Sequence, residues 1–170
     1  MEVKCAVKFP KIGMRIIKTA IAVFICFVID IFRTTSMPFY SAIAAIFCMQ
    51  PDVKDSWRVA ATRTIGTIIG GVYGVLLLML LQALNTINIL ILHYFILTVA
   101  LMPLIYITVL LKQKGATYIT CVVFLSITIS HIGDASPYLF ALSRVIDTLI
   151  GVFVSLGINA IPFLKNKQQK

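Results

Sequence analysis

Charge is scarce in this chain. Only 12% of its 170 residues are charged, and six are acidic. A soluble domain of this size carries roughly a quarter charged residues to coat its core. Here 60% of residues are hydrophobic and the mean hydropathy is +1.01. That surplus is too large for one water-soluble globule and points to lipid as the solvent. The net charge is +9, with a single tryptophan. The basic residues sit in short clusters between apolar runs, without interleaved aromatics, so nucleic acid is not the expected partner. Catalytic signatures are missing too. There is no HExxH, no GxSxG, no phosphate loop and no cluster of metal ligands. No enzyme activity, cofactor or metal is expected. Cys5, Cys26, Cys48 and Cys121 form no CxxC pair, and three lie inside apolar runs. They read as small buried hydrophobes rather than as a disulfide framework or zinc site.

What the chain does have is apolar runs, six of them: residues 16–31, 38–50, 65–84, 87–111, 115–130 and 145–164. Within the first, the apolar stretch Thr19–Ile29 follows Lys4, Lys8, Lys11, Arg15 and Lys18, as in a signal peptide. No small-residue cleavage site comes next, only Asp30 and Arg33, so a retained first helix is expected. Backbone groups in lipid must be satisfied within the segment, which makes these runs helices. Long strict alternation, the mark of a barrel, is absent.

The second run is short. Thirteen residues reach about 20 Å, against a hydrocarbon core of about 30 Å. Charge arbitrates. If all six runs cross, Lys4, Lys8, Lys11, Arg15, Lys18, Lys54, Arg58, Arg63, Lys112, Lys114, Lys165, Lys167 and Lys170 fall on one side, and only Arg33 and Arg144 on the other. The positive-inside rule then predicts six crossings with both termini in the cytoplasm. Pro38 suits a helix start, and Pro51 suits the position just past its end.

Two stretches nearly repeat. RTIGTIIG at 63–70 and RVIDTLIG at 144–151 share Arg63 with Arg144, Thr67 with Thr148 and Gly70 with Gly151. Upstream, PFYSAIAAIF at Pro38 aligns with ATYITCVVFL at Ala116, and Tyr40 with Tyr118. Three crossings per half would turn the second half upside down, as in the inverted repeats of secondary transporters. The expected fold is therefore an all-α membrane protein. Its six transmembrane helices form two inverted three-helix repeats, residues 16–84 and 87–164, within a single membrane domain over residues 1–170.

On a helix, Arg63, Thr67, Gly70 and Gly74 share one face, and Arg144, Thr148, Gly151 and Ser155 share another. Two readings fit: small residues for close helix packing, or space beside the helix for a solute. The arginines allow an anchor in lipid headgroups, a local ion pair of Arg144 with Asp147, or two cationic mouths drawing an anion along one path. Asp30 has Arg33 three residues on. Asp30, Asp147 and His93 are candidates to carry protons; His93 also reads as a hydrogen-bonded packing residue. Asn159 suits a bond to a neighbouring helix. His131 and Asp134 read as solvated loop residues.

KTAIAVFICF, PFYSAIAAIFCMQPDVKDSWR and RTIGTIIGGVYG together resemble the aromatic acid exporter family, within the fusaric-acid-resistance-type transporters. Gln50-Pro51, Ser56, Arg63, Gly66, Thr67 and Gly70 carry the match. The resemblance implies a six-helix unit in the plasma (inner) membrane that exports aromatic or other hydrophobic organic anions. It implies no cofactor. Longer relatives have twelve helices or a cytoplasmic domain, so a homodimer is expected to supply the missing helices. The partners expected are thus the lipid bilayer, a small organic anion and a second copy. A passive anion channel and a non-transporting partner subunit are the rival readings.

Overall fold

The computed structural model describes residues 13–33, 37–83, 90–130 and 137–161. Among these residues the chain is all helical, with six α-helices and no strand. They are α1 (Met14–Ile31), α2 (Pro38–Cys48), α3 (Val53–Ala83), α4 (Leu90–Leu110), α5 (Thr117–Ser130) and α6 (Pro137–Ala160). A 3₁₀ turn, Lys114–Ala116, leads into α5. Every apolar run of the sequence overlaps one of these helices. Leu84, Ile87, His131, Asp134 and Leu164 lie outside the described residues.

Three helices, α3, α4 and α6, are long and apolar enough to cross a membrane. The helices α2 and α5 are apolar but shorter. The remaining one, α1, has 18 residues and carries Arg15, Lys18 and Asp30 among them. Two starts differ most from expectation. The sixth helix, α6, begins at Pro137, eight residues ahead of its run. The third helix starts at Val53, twelve residues ahead of its apolar run. Hydropathy marks the part of a helix that suits lipid, whereas the helix itself starts after Pro51, with Asp55 in its first turn complementing the helix dipole.

Two helices, α1 and α6, carry polar residues on their inward faces. The inward face of α1 is Lys18, Ala22, Cys26 and Asp30, spaced four apart, while Ile16, Phe24 and Ile31 are exposed. The inward face of α6 holds Arg144, Thr148, Ser155 and Asn159, all buried. Between α1, α2 and α6 lies a core of small or slender residues: Ala22, Cys26, Ala45, Met49 and Ile158. On the other side of the molecule, Leu81, Leu97, Ala100, Leu104 and Phe124 join α3, α4 and α5. Tyr73 extends that contact by donating its hydroxyl to the Ala100 carbonyl at 3.2 Å.

The two small-residue stripes make the closest helix contacts. A Cβ placed on Gly70 would lie 2.5 Å from the Thr120 carbonyl oxygen of α5. A Cβ on Gly151 would overlap the Ser41 carbonyl oxygen of α2 and stand 2.6 Å from Ala44 Cβ. Thus α3 presses on α5 as α6 presses on α2. Thr67 and Thr148 turn their hydroxyls back to their own helices, to the carbonyls of Arg63 and Arg144, both at 2.9 Å.

The reversal between α4 and α5 is tight. Lys112 takes φ 57°, and the Gln113 amide reaches back to the Thr108 carbonyl at 3.0 Å. This left-handed stop satisfies carbonyls that the helix end would otherwise leave open.

Replacing Gly151 by alanine sets two effects against each other. Alanine favours the helix by about 1 kcal/mol, but overpacking against fixed backbone costs about 1–3 kcal/mol. Gly151→Ala is therefore expected to lower the unfolding temperature in detergent. Gly157, with nothing within 4 Å of its would-be Cβ, is the control: Gly157→Ala should leave that temperature unchanged or raise it.

Candidate functional site: two polar layers around a short helix

The short helix α2 is held at both ends by polar groups, most of them buried, from α1 and the residues just after it, from α6 and from the start of α3. At its start, the Met37 amide donates to Asp147 Oδ2 of α6 at 3.3 Å. Asp147 Oδ1 accepts from Arg33 Nη1 at 2.5 Å. The same Arg33 nitrogen stands 3.9 Å from Asp30 Oδ1, and Asp30 Oδ2 accepts the Ser41 hydroxyl of α2. Two carboxylates, from α1 and α6, thus converge on one arginine.

At the far end of α2, Arg15 Nε donates to the Met49 carbonyl at 2.9 Å. Asn159 of α6 donates Nδ2 to the Gln50 carbonyl at 3.0 Å and to Ser56 Oγ at 2.8 Å. Lys18 of α1, although buried, donates to Asn159 Oδ1 at 3.3 Å. Ser56 also accepts the Gln50 amide at 3.2 Å. These bonds satisfy the backbone where α2 gives way to α3, which an apolar surrounding would demand. The expected bond of Asn159 to a neighbouring helix is present.

The layers are separated by twelve residues on α1, from Lys18 to Asp30, and by twelve on α6, from Asp147 to Asn159. At 1.5 Å per residue that is about 18 Å. The two helices meet the layers in opposite order, so the start of α1 and the end of α6 lie at the same end of the molecule.

Both repeat arginines face α2. The guanidinium of Arg144 lies 3.2 Å from the centroid of the Tyr40 ring, and that of Arg63 lies 5.2 Å from the centroid of Phe47. Tyr40 and Phe47 are seven residues apart, two turns on one face, so about 10 Å of helix separates their levels. The arginines are therefore much closer in level than the full thickness of a membrane. Tyr40 is itself fixed, its hydroxyl paired with Ser126 Oγ of α5 at 3.1 Å.

Arg144 is 6% exposed. Its Nη1 and Arg63 Nε are buried without a hydrogen-bond partner. Such groups are rare in a folded protein because each keeps a large desolvation penalty. Arg63 also lines a cavity of about 320 Å³ with Arg58, Phe47, Tyr118 and Thr62. A cation beside two aromatic rings and an open volume can hold the carboxylate and body of an organic acid.

Other candidates fall differently. Asp147 pairs with Arg33 across helices rather than with Arg144 three residues earlier, because α1 brings Arg33 to its Oδ1. The Asp30–Arg33 pairing is present at 3.9 Å. Gly70 and Gly151 are packed against backbone, Gly74 lies against Ile127 of α5, and Ser155 Oγ is buried with no partner. His93 is fully buried on α4, and neither ring nitrogen has a hydrogen-bond partner, contrary to the bonded packing role. It sits apart from Asp30 and Asp147, on a helix that packs on α5. Among the described residues no group of histidine, cysteine and acidic side chains could hold a metal.

A model of the fusaric acid resistance protein-like family matches residues 20–158. The chain belongs to that family. The family suggests a membrane protein related to transport, and three helices long and apolar enough to cross a membrane fit a multi-pass membrane protein. Over 159 residues the chain is 28% identical to UPF0421 protein YgaE of Bacillus subtilis (strain 168). That alignment covers 94% of this chain and 42% of the relative, so the chain spans less than half the length of the curated protein it matches. No solved structure matches. The family match encloses every side chain of the two layers except Arg15, Lys18 and Asn159.

Sequence reasoning passed over Lys18 and Ser56 as parts of one site. A signal was there for Lys18: it opens the four-spaced series Lys18, Ala22, Cys26, Asp30, polar at both ends and small between. Nothing in the sequence pairs Ser56 with Asn159.

Removing one member of a buried pair leaves an uncompensated charge, which costs about 3–5 kcal/mol. Arg33 is a quarter exposed at its side chain, so Arg33→Gln should fall at the lower end, about 3 kcal/mol. A double-mutant cycle of unfolding in detergent with Asp147→Asn should show a coupling of at least ~1 kcal/mol. Strict additivity would remove the pair from the account.

Proposed function

We propose that the chain moves organic anions across the membrane, with Arg63 and Arg144 drawing the carboxylate toward α2 from opposite sides. The observation that carries this reading is the pair of stacked guanidinium groups, each with a buried N–H that no protein atom accepts. An ionised group left in that state inside a membrane protein is a functional candidate by default. The stripes Thr67, Gly70, Gly74 and Thr148, Gly151, Ser155 lie beside this path and press its walls together. The preferred solutes are aromatic or other hydrophobic acids, which the rings of Phe47, Tyr40 and Tyr118 suit.

The membrane layout proposed is six crossings in two inverted halves, residues 16–84 and 87–164 of one membrane domain, with both termini cytoplasmic in the plasma membrane. The matching contacts of Gly70 on α5 and Gly151 on α2 support the inversion. The opposed order of the polar layers on α1 and α6 supports termini on a common side. The convergent carboxylates Asp30 and Asp147 are the proposed proton carriers, with His93 a separate candidate on α4. A homodimer is the proposed working unit.

The test is flux of a hydroxybenzoate-type acid in proteoliposomes, under a pH gradient and then under a voltage. Losing a hydrogen bond to a charged group weakens binding by about 1.5–3 kcal/mol. The Arg63→Gln, Arg144→Gln variant should therefore lose at least roughly ten-fold in flux at low solute concentration. Unchanged flux in a folded double variant ends the proposal. Flux that follows voltage and ignores pH makes the protein a channel. No flux from correctly folded wild-type protein makes it a partner subunit.

A further inference from the structure

A second cavity, of about 700 Å³, lies away from the arginine pair on the outer face of α1. Arg15, Thr19, Val23 and Phe27 follow one another at four-residue intervals along it, with Phe24 beside them and Ile46 of α2 forming the far wall. The groove is polar only at its head. From Arg15 to Phe27 it runs twelve residues, about 18 Å, close to the ~15 Å depth of one leaflet of hydrocarbon.

The head is built. Arg15 Nε is held by the Met49 carbonyl at 2.9 Å, and Thr19 Oγ is held by the Arg15 carbonyl at 2.8 Å. The arginine is exposed. Its two terminal NH₂ groups remain for an anion in a planar, two-pronged geometry suited to phosphate.

We propose that this groove binds an anionic phospholipid, its phosphate on Arg15 and one acyl chain along Val23, Phe24 and Phe27. Bulk lipid would fill any such groove. What singles out an anionic one is Arg15, among the described residues the one cation lining an otherwise apolar trough. The site also reaches α2. A phosphate on Arg15 holds the guanidinium that holds Met49, so occupancy braces the junction of α2 and α3. The proposal stands whether or not the chain transports anions.

The experiment uses the full chain with Trp57→Phe and Phe24→Trp, which leaves one tryptophan, in the groove. The protein is reconstituted in phosphatidylcholine vesicles containing, at equal mole fraction, either brominated phosphatidylglycerol or brominated phosphatidylcholine. Quenching should indicate roughly five-fold enrichment of the anionic lipid around that tryptophan. Adding Arg15→Gln should bring the two lipids level, and Arg15→Lys should keep part of the preference. Equal quenching before Arg15 is changed overturns the proposal, and so does a preference that survives Arg15→Gln. Absence of quenching by either lipid, with position 24 covered by a second copy, overturns it as well. Should Arg15→Gln fail to fold, the comparison of the two lipids against unaltered Arg15 decides alone.

Discussion

The ends of α2 carry the structure. A helix of 11 residues reaches only about 16 Å, so in a hydrocarbon layer its terminal backbone groups would lack water. The chain meets this with side chains from α1 and its end, from α6 and, at Ser56, from the start of α3. Asp147, Arg33 and Asp30 close the start of α2; Asn159, Ser56, Lys18 and Arg15 close its end. Because the same pair of helices, α1 and α6, supplies both layers, their register is set by α2. Small residues between the layers then let the three helices approach.

This frame explains why polar residues face inward in so apolar a chain. Ile16, Phe24 and Phe153 are exposed, which a lipid surrounding would leave without penalty, while buried charge is concentrated where it can be paired. The guanidinium groups of Arg63 and Arg144 depart from that pattern: they stack on Phe47 and Tyr40 and keep open N–H groups. A stabilising network would have supplied acceptors. These buried N–H groups without an acceptor are what the proposed role in meeting a solute rests on.

Much of the architecture was legible from hydropathy and from glycine. The six runs became six helices, and the stripes of Gly70 and Gly151 marked the tightest contacts. The repeat also pointed to Arg63 and Arg144 as counterparts, and both face the same short helix. What the sequence could not show was who pairs with whom. Arg144 and Asp147 sit three residues apart, the spacing of a local ion pair, yet Asp147 turns to Arg33 on another helix. Asn159 displays a polar group, but its partners at Gln50 and Ser56 are more than a hundred residues away. Local spacing reports faces; tertiary pairing depends on which faces meet. The start of α3 was hidden for a different reason, since a helix that leaves the apolar layer loses its hydropathy signal and keeps its hydrogen bonds.

The central claim is that α2 runs the full distance between two sides of the membrane layer, short as it is. Single cysteines at positions 37 and 52, in a chain whose four native cysteines are replaced by alanine, would be labelled with an impermeant thiol reagent in sealed vesicles of known orientation. The account predicts that position 37 reacts from the outer side and position 52 from the inner. Labelling of both from one side would make α2 re-entrant and contradict the six-crossing arrangement.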